Sequence, residues 1–117
     1  MFNARIVLHC QTLYGLGARR FLISGVGPLG CIPNQLATKS KDGECVGYIN
    51  ELIKGFNAEV IQLVGELNAD PQLKGATFLY GKVYEKFEDI LQNPSNYGKY
   101  SLLCHYLLYP TFSLDMI

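Results

Sequence analysis

The stretch LYGLGARRFLISGVGPLGCIP, residues 13–33, decides how the chain reads. It holds a helix end, a short apolar strand and a glycine-proline turn, with no gap between them. Gly15 and Gly17 offer helix stops. Phe21-Leu22-Ile23 is apolar on both faces, as expected of a parallel strand covered by helices on two sides. Gly25 closes the strand. The run GPLGCIP and the later KDG predict loop over residues 27–44.

Outward from this stretch, Phe2, Ile6, Cys10 and Leu13 recur at helical spacing, which predicts a helix over 3–15. Ile49, Leu52, Ile53, Phe56, Val60, Leu63, Val64 and Leu67 form one apolar stripe and predict a long core-facing helix. Gly55 and Gly65 lie inside it and read as points of close approach to the sheet. Asn68-Ala69-Asp70-Pro71 ends the helix, and Ala76–Tyr80 reads as a second strand. Val83, Phe87, Ile90 and Leu91 give a short amphipathic helix. The order α-β-α-β-α implies a parallel strand pair joined by a crossover. Two such strands make no stable sheet alone, so the expectation is a segment of a larger domain.

The 117 residues carry ten basic and ten acidic side chains, with 49% hydrophobic and 17% charged residues. That composition suits a packed core and is too apolar for disorder. No basic face argues for nucleic acid, and no apolar run reaches membrane-span length. MFNARIVLHCQTL lacks the pattern of a signal peptide, being interrupted by Arg5, His9 and Gln11. Asn93-Pro94-Ser95 has the proline that excludes N-glycosylation. After Gly98 the composition shifts. Residues 100–117 hold 12 apolar residues and one formal charge, Asp115. The expected division is therefore a domain over 1–98 and a divergent apolar tail over 99–117.

Cys10 falls among apolar residues and reads as a buried thiol. Cys31 and Cys45 flank the polar loop PNQLATKSKDGE. Two readings stay open for them, a bridge or two free thiols. A bridge would close about 15 residues and contribute roughly 3 kcal/mol in the chain-entropy picture, and would imply an oxidising compartment.

Several motifs fail on inspection. Gly25-Val26-Gly27-Pro28-Leu29-Gly30 fits G-x-G-x-x-G after a strand, but that motif needs a helix to open at once on the pyrophosphate. Pro28 and Pro33 interrupt it, the next helix is expected some fifteen residues later, and Glu44 and Glu51 are not at a strand end. Ser24 ends a strand, yet Leu22 stands where a nucleophile elbow needs glycine. His9 and His105 have no carboxylate placed to orient them. Arg19 and Arg20 read as a solvated junction. No His/Cys/Asp cluster has ligand spacing, so neither metal nor cofactor is expected.

The blocks LYGLGARRF, SGVGPLGCIP, CVGYINELIKGFN and NPSNYG, in that order, resemble the plant-type GDSL esterase/lipase family within the SGNH hydrolases. The resemblance covers about residues 3–98. It implies a three-layer α/β/α sandwich around a parallel sheet, here present as an incomplete α-β-α-β-α segment. It also implies hydrolysis of carboxylic esters, lipids included, and an extracellular setting that a Cys31–Cys45 bridge would suit. The family's Gly-Asp-Ser nucleophile block, its oxyanion blocks and its Asp-x-x-His match no position here; Asp115 is followed by Met116 and Ile117. The expectation is a fragment without catalytic residues and inactive by itself. In it, Gly27, Pro28, Leu29 and Gly30 would border the substrate cleft. The alternative is a non-catalytic partner protein that self-associates through uncovered apolar faces.

Overall fold

The computed structural model describes residues 2–98, with Phe2 described by its backbone alone. The tail expected over 99–117, with His105, Cys104 and Asp115, lies outside the described residues. The element order is α1 (Phe2–Gly15), β1 (Arg20–Ser24), α2 (Pro33–Lys39), α3 (Gly47–Ala69), β2 (Thr77–Gly81) and α4 (Val83–Gln92), with 3-10 turns at Leu29–Cys31, Pro71–Leu73 and Pro94–Tyr97. The described residues fall into two compact units: 2–26 with 54–83, and 27–53 with 84–98.

The first unit holds the sheet. β1 and β2 pair in parallel, Arg20 opposite Thr77 through Ser24 opposite Gly81. The register brings Phe21 against Phe78, whose rings stack at 4.6 Å between centroids. Cys10, Leu63, Val64, Leu67, Leu73 and Phe78 form the core, with Ile6, Val7, Tyr14 and Phe21 packed on it. α1 ends in a Schellman motif. Gly17 takes φ 104°, the Ala18 amide donates to Leu13 O and the Gly17 amide to Tyr14 O, the pattern that satisfies terminal carbonyls. The Arg19 guanidinium donates to Tyr14 O and Ala18 O at 2.8 Å each and lies 3.9 Å over the Tyr14 ring. Its charge faces a helix C-terminus, which favours it.

Several expectations are corrected. Among the described residues the sheet is covered on one face only. Phe21, Ile23, Phe78 and Tyr80 turn toward the core, while Leu22 is 72% and Leu79 60% exposed. In the sequence β1 looks double-sided because its alternate residues are also apolar. On α1, Tyr14 rather than Leu13 meets the core, and Leu13 is exposed. The α3 stripe is narrower than its sequence pattern, because Leu52 is exposed. A Cβ at Gly55 or Gly65 would touch nothing within 4 Å, so neither marks a close approach.

In the second unit, residues 27–44 are not all loop. Pro33 occupies the first turn of α2 and Ile32 caps it in extended conformation. A proline at that place loses no helical bond and presets φ, so the residue that reads as a breaker starts a helix. α2 has seven residues and buries none; it offers no periodicity to detect. On α4 the buried aromatic is Tyr84, at 5% exposure, and not Phe87.

Candidate functional site

Beyond β1 the backbone leaves the sheet, and its polar groups need partners. α3 supplies them through asparagine side chains. In the first unit, Asn57 Oδ1 accepts from Val26 N at 2.8 Å and its Nδ2 donates to Val26 O at 2.8 Å. Asn57 is the buried polar residue of the stripe. The Gly25 amide continues the ladder to Gly81 O at 3.0 Å. A Cβ at Gly25 would fall on the Tyr80 hydroxyl and lie 3.0 Å from Asn57 Oδ1. Farther along α3, Asn68 repeats the device on β2, accepting from Phe78 N and donating to Phe78 O, each at 2.9 Å.

In the second unit, Gly27-Pro28-Leu29-Gly30 is held from behind. Gly30 N donates to Asn50 Oδ1 at 2.7 Å, and Val46 N donates to Gly30 O at 2.8 Å. Asn50 Nδ2 lies 3.4 Å from Cys31 Sγ. Cys31 and Cys45 are joined by a disulfide with Cα atoms 4.4 Å apart. Pro28 and Gly30 are buried, and Leu29 between them is exposed. The polar loop carries its own turn, with Gly43 N on Ser40 Oγ at 2.9 Å, Glu44 N on Asp42 Oδ1 at 3.1 Å and Gly43 at φ 82°.

This arrangement does not suit a dinucleotide. Helical turns do open directly, at Leu29 and Pro33, so that spacing argument is corrected. Four of the loop amides, however, are already engaged: Val26 on Asn57, Gly30 on Asn50, Cys31 on Pro28 O and Ile32 on Leu29 O. They are not presented to a phosphate as the motif requires.

The other sequence candidates are not brought together. Ser24 sits exposed at the end of β1 and His9 exposed on α1. Among the described residues, no hydrogen bond links a serine to a histidine or a histidine to a carboxylate. No three His, Cys, Asp or Glu side chains cluster there as metal ligands. Burial pushes the Cys10 thiol up, away from the reactive thiolate. A shallow depression of about 380 Å³ lies on the bare sheet face, lined by Arg20, Phe21, Leu22, Thr77 and Leu79. Its lining holds no histidine or carboxylate that could activate the Thr77 hydroxyl. After α4, Asp89 gathers the following turn: Asn93 Nδ2 donates to Oδ1 at 2.9 Å and the Tyr97 hydroxyl donates to Oδ2. Those bonds, from Tyr97 first and then Asn93, hold the Asp89 carboxyl below its ordinary value. The same bond raises Tyr97.

The asparagine clamps are what sequence reasoning missed. The signal was present: Asn57 stands four residues after Ile53 and three before Val60, on the apolar stripe, where a polar side chain must find a partner.

The sequence profile described as GDSL-like Lipase/Acylhydrolase matches residues 4–101. A GDSL esterase/lipase of Arabidopsis thaliana is 50% identical over 92 residues, 77% of this chain and 24% of the relative. GDSL esterase/lipase 7 of Arabidopsis thaliana is 43% identical over 88 residues, 74% of this chain and 24% of the relative. A third from that plant is 46% identical over 88 residues, 74% and 23% respectively. The chain thus spans about a quarter of the length of the curated relatives it matches. No solved structure matches.

Proposed function

Given that the chain belongs to the GDSL-like lipase/acylhydrolase family, we propose that it forms the sheet-and-loop segment of a hydrolase acting on carboxylic esters and is inactive by itself. The one-sided sheet carries this reading. Leu22 and Leu79 stand bare at 72% and 60% exposure, on a parallel pair too small to be a finished sheet. Further strands and helices, making a three-layer α/β/α sandwich, would bury that face. In such an enzyme the ester is attacked by a serine, and an oxyanion hole stabilises the tetrahedral intermediate. This chain's share is scaffold: residues 1–98 as the partial domain, 99–117 as a divergent tail, and Gly27, Pro28, Leu29 and Gly30 as the rim of the cleft. The loop follows the C-terminal end of a parallel strand, where α/β folds bind ligands. The disulfide fits an extracellular setting; no helix among the described residues is long and apolar enough to cross a membrane.

Ester turnover by the purified 117-residue chain is expected to stay at background, with the parent and Ser24→Ala alike. Turnover that Ser24→Ala abolishes would contradict inactivity and make Ser24 a nucleophile. The same bare face favours a second reading, a non-catalytic protein that self-associates through it. Concentration-dependent sedimentation, abolished by Leu22→Lys with Leu79→Lys, would support that one.

A further inference from the structure

The loop after β1 buries Pro28 and Gly30 but turns Leu29 outward. In the second unit Leu29 and Ile32 are each 40% exposed. They stand at the two ends of one short segment, Leu29 opening the 3-10 turn Leu29–Cys31 and Ile32 closing it in extended conformation. Behind them the backbone is fastened at both polar groups of Gly30, by Asn50 and by Val46. The disulfide ties down the next residue. An exposed leucine on a mobile loop signifies little. An apolar pair on a backbone tied at successive residues is a preorganised surface.

We propose that Leu29 and Ile32 contact the apolar acyl group of the ester, and that Asn50 is the positioning residue that holds them to it. This deepens the ester-hydrolase reading and rests on it. The Gly30–Asn50 bond fixes where the turn sits, so losing it lets the apolar pair drift from the acyl chain and weakens selection for long chains. Asn50→Asp keeps an acceptor for the Gly30 amide; Asn50→Leu removes it at similar size.

The test replaces the aligned 92 residues of the 50%-identical Arabidopsis relative with those of this chain. It then reads kcat and KM on p-nitrophenyl acetate and p-nitrophenyl octanoate. Leu29→Ala is expected to lower the octanoate-to-acetate ratio of kcat/KM by about three- to tenfold. Asn50→Leu should lower it by about tenfold, mainly through KM, with Asn50→Asp restoring most of it. A folded, active graft whose ratio is indifferent to Leu29→Ala and Asn50→Leu overturns the acyl contact and leaves the hydrolase reading standing. A graft that melts cooperatively yet hydrolyses neither ester overturns the hydrolase reading and the acyl contact with it. Should the graft not fold, exchanging only residues 27–53 carries the same variants. Amide exchange of Gly30 in the 117-residue chain reads the lock directly. Exchange unchanged by Asn50→Leu overturns Asn50's role.

Discussion

Substituting alanine at Gly30 puts a methyl group where two acceptors already stand. Its Cβ would fall on the Val46 carbonyl oxygen and lie 2.7 Å from Asn50 Oδ1. Gly30 does not have positive φ, so the penalty is steric and owes nothing to left-handed backbone strain. One obstacle is backbone, which cannot rotate aside as a side chain end does. The loop must move, stretching the bond from Val46 N or the one to Asn50. Losing one or two such bonds costs about 0.5–1.5 kcal/mol each, and overpacking costs about 1–3 kcal/mol. The reduced entropy of the unfolded chain returns about 0.4–1 kcal/mol. The expected net destabilisation is about 2–4 kcal/mol, a fall in Tm of about 10–20 °C for a chain of this size. Gly55→Ala and Gly65→Ala, inside α3 with nothing within 4 Å, should each stabilise by about 1 kcal/mol. Urea unfolding of the oxidised chain, followed by circular dichroism and tyrosine fluorescence, measures all three. A Gly30→Ala chain within about 0.5 kcal/mol of the parent would refute the close approach.

Asn57→Ala removes both bonds to Val26 and leaves a partly buried amide without its partner, so it should cost about 2–4 kcal/mol in the same assay. Reducing the Cys31–Cys45 bridge, which closes a separation of 14 residues, should cost about 3 kcal/mol; unfolding with and without dithiothreitol checks it. The Asp89 carboxyl is held low by Tyr97 and Asn93, so its contribution is present above the ordinary carboxylate pKa and lost as pH falls through the lowered value. Tyr97 is raised, and its contribution holds below the ordinary phenol pKa and disappears as pH rises through the raised one. Carboxyl and ring NMR titrations should show both shifts, and Asp89→Asn should return Tyr97 toward its ordinary value.

Elements whose burial follows a period were legible in the residues. The long stripe of α3 and the apolar triplet of β1 depend on contacts within the chain, and both form where the pattern places them. α2 was illegible because seven residues burying nothing leave no stripe, and because Pro33 acts by position rather than by type. Whether β1 is covered on one face or two depends on what packs there, which alternation within the strand does not encode. The partners of Asn50 and Asn57 are loop backbone 20 and 31 residues earlier. The need for a partner shows in a polar residue on an apolar face; the identity of that partner does not.

A scaffold segment of an ester hydrolase, inactive by itself as proposed, should need the rest of the enzyme for turnover. The most direct test is p-nitrophenyl ester turnover, measured side by side for the 117-residue chain and for the Arabidopsis relative carrying its 92 aligned residues. Background for the chain alone and clear turnover for the graft are expected. Turnover by the chain alone, or a folded graft that hydrolyses nothing, would contradict the proposal.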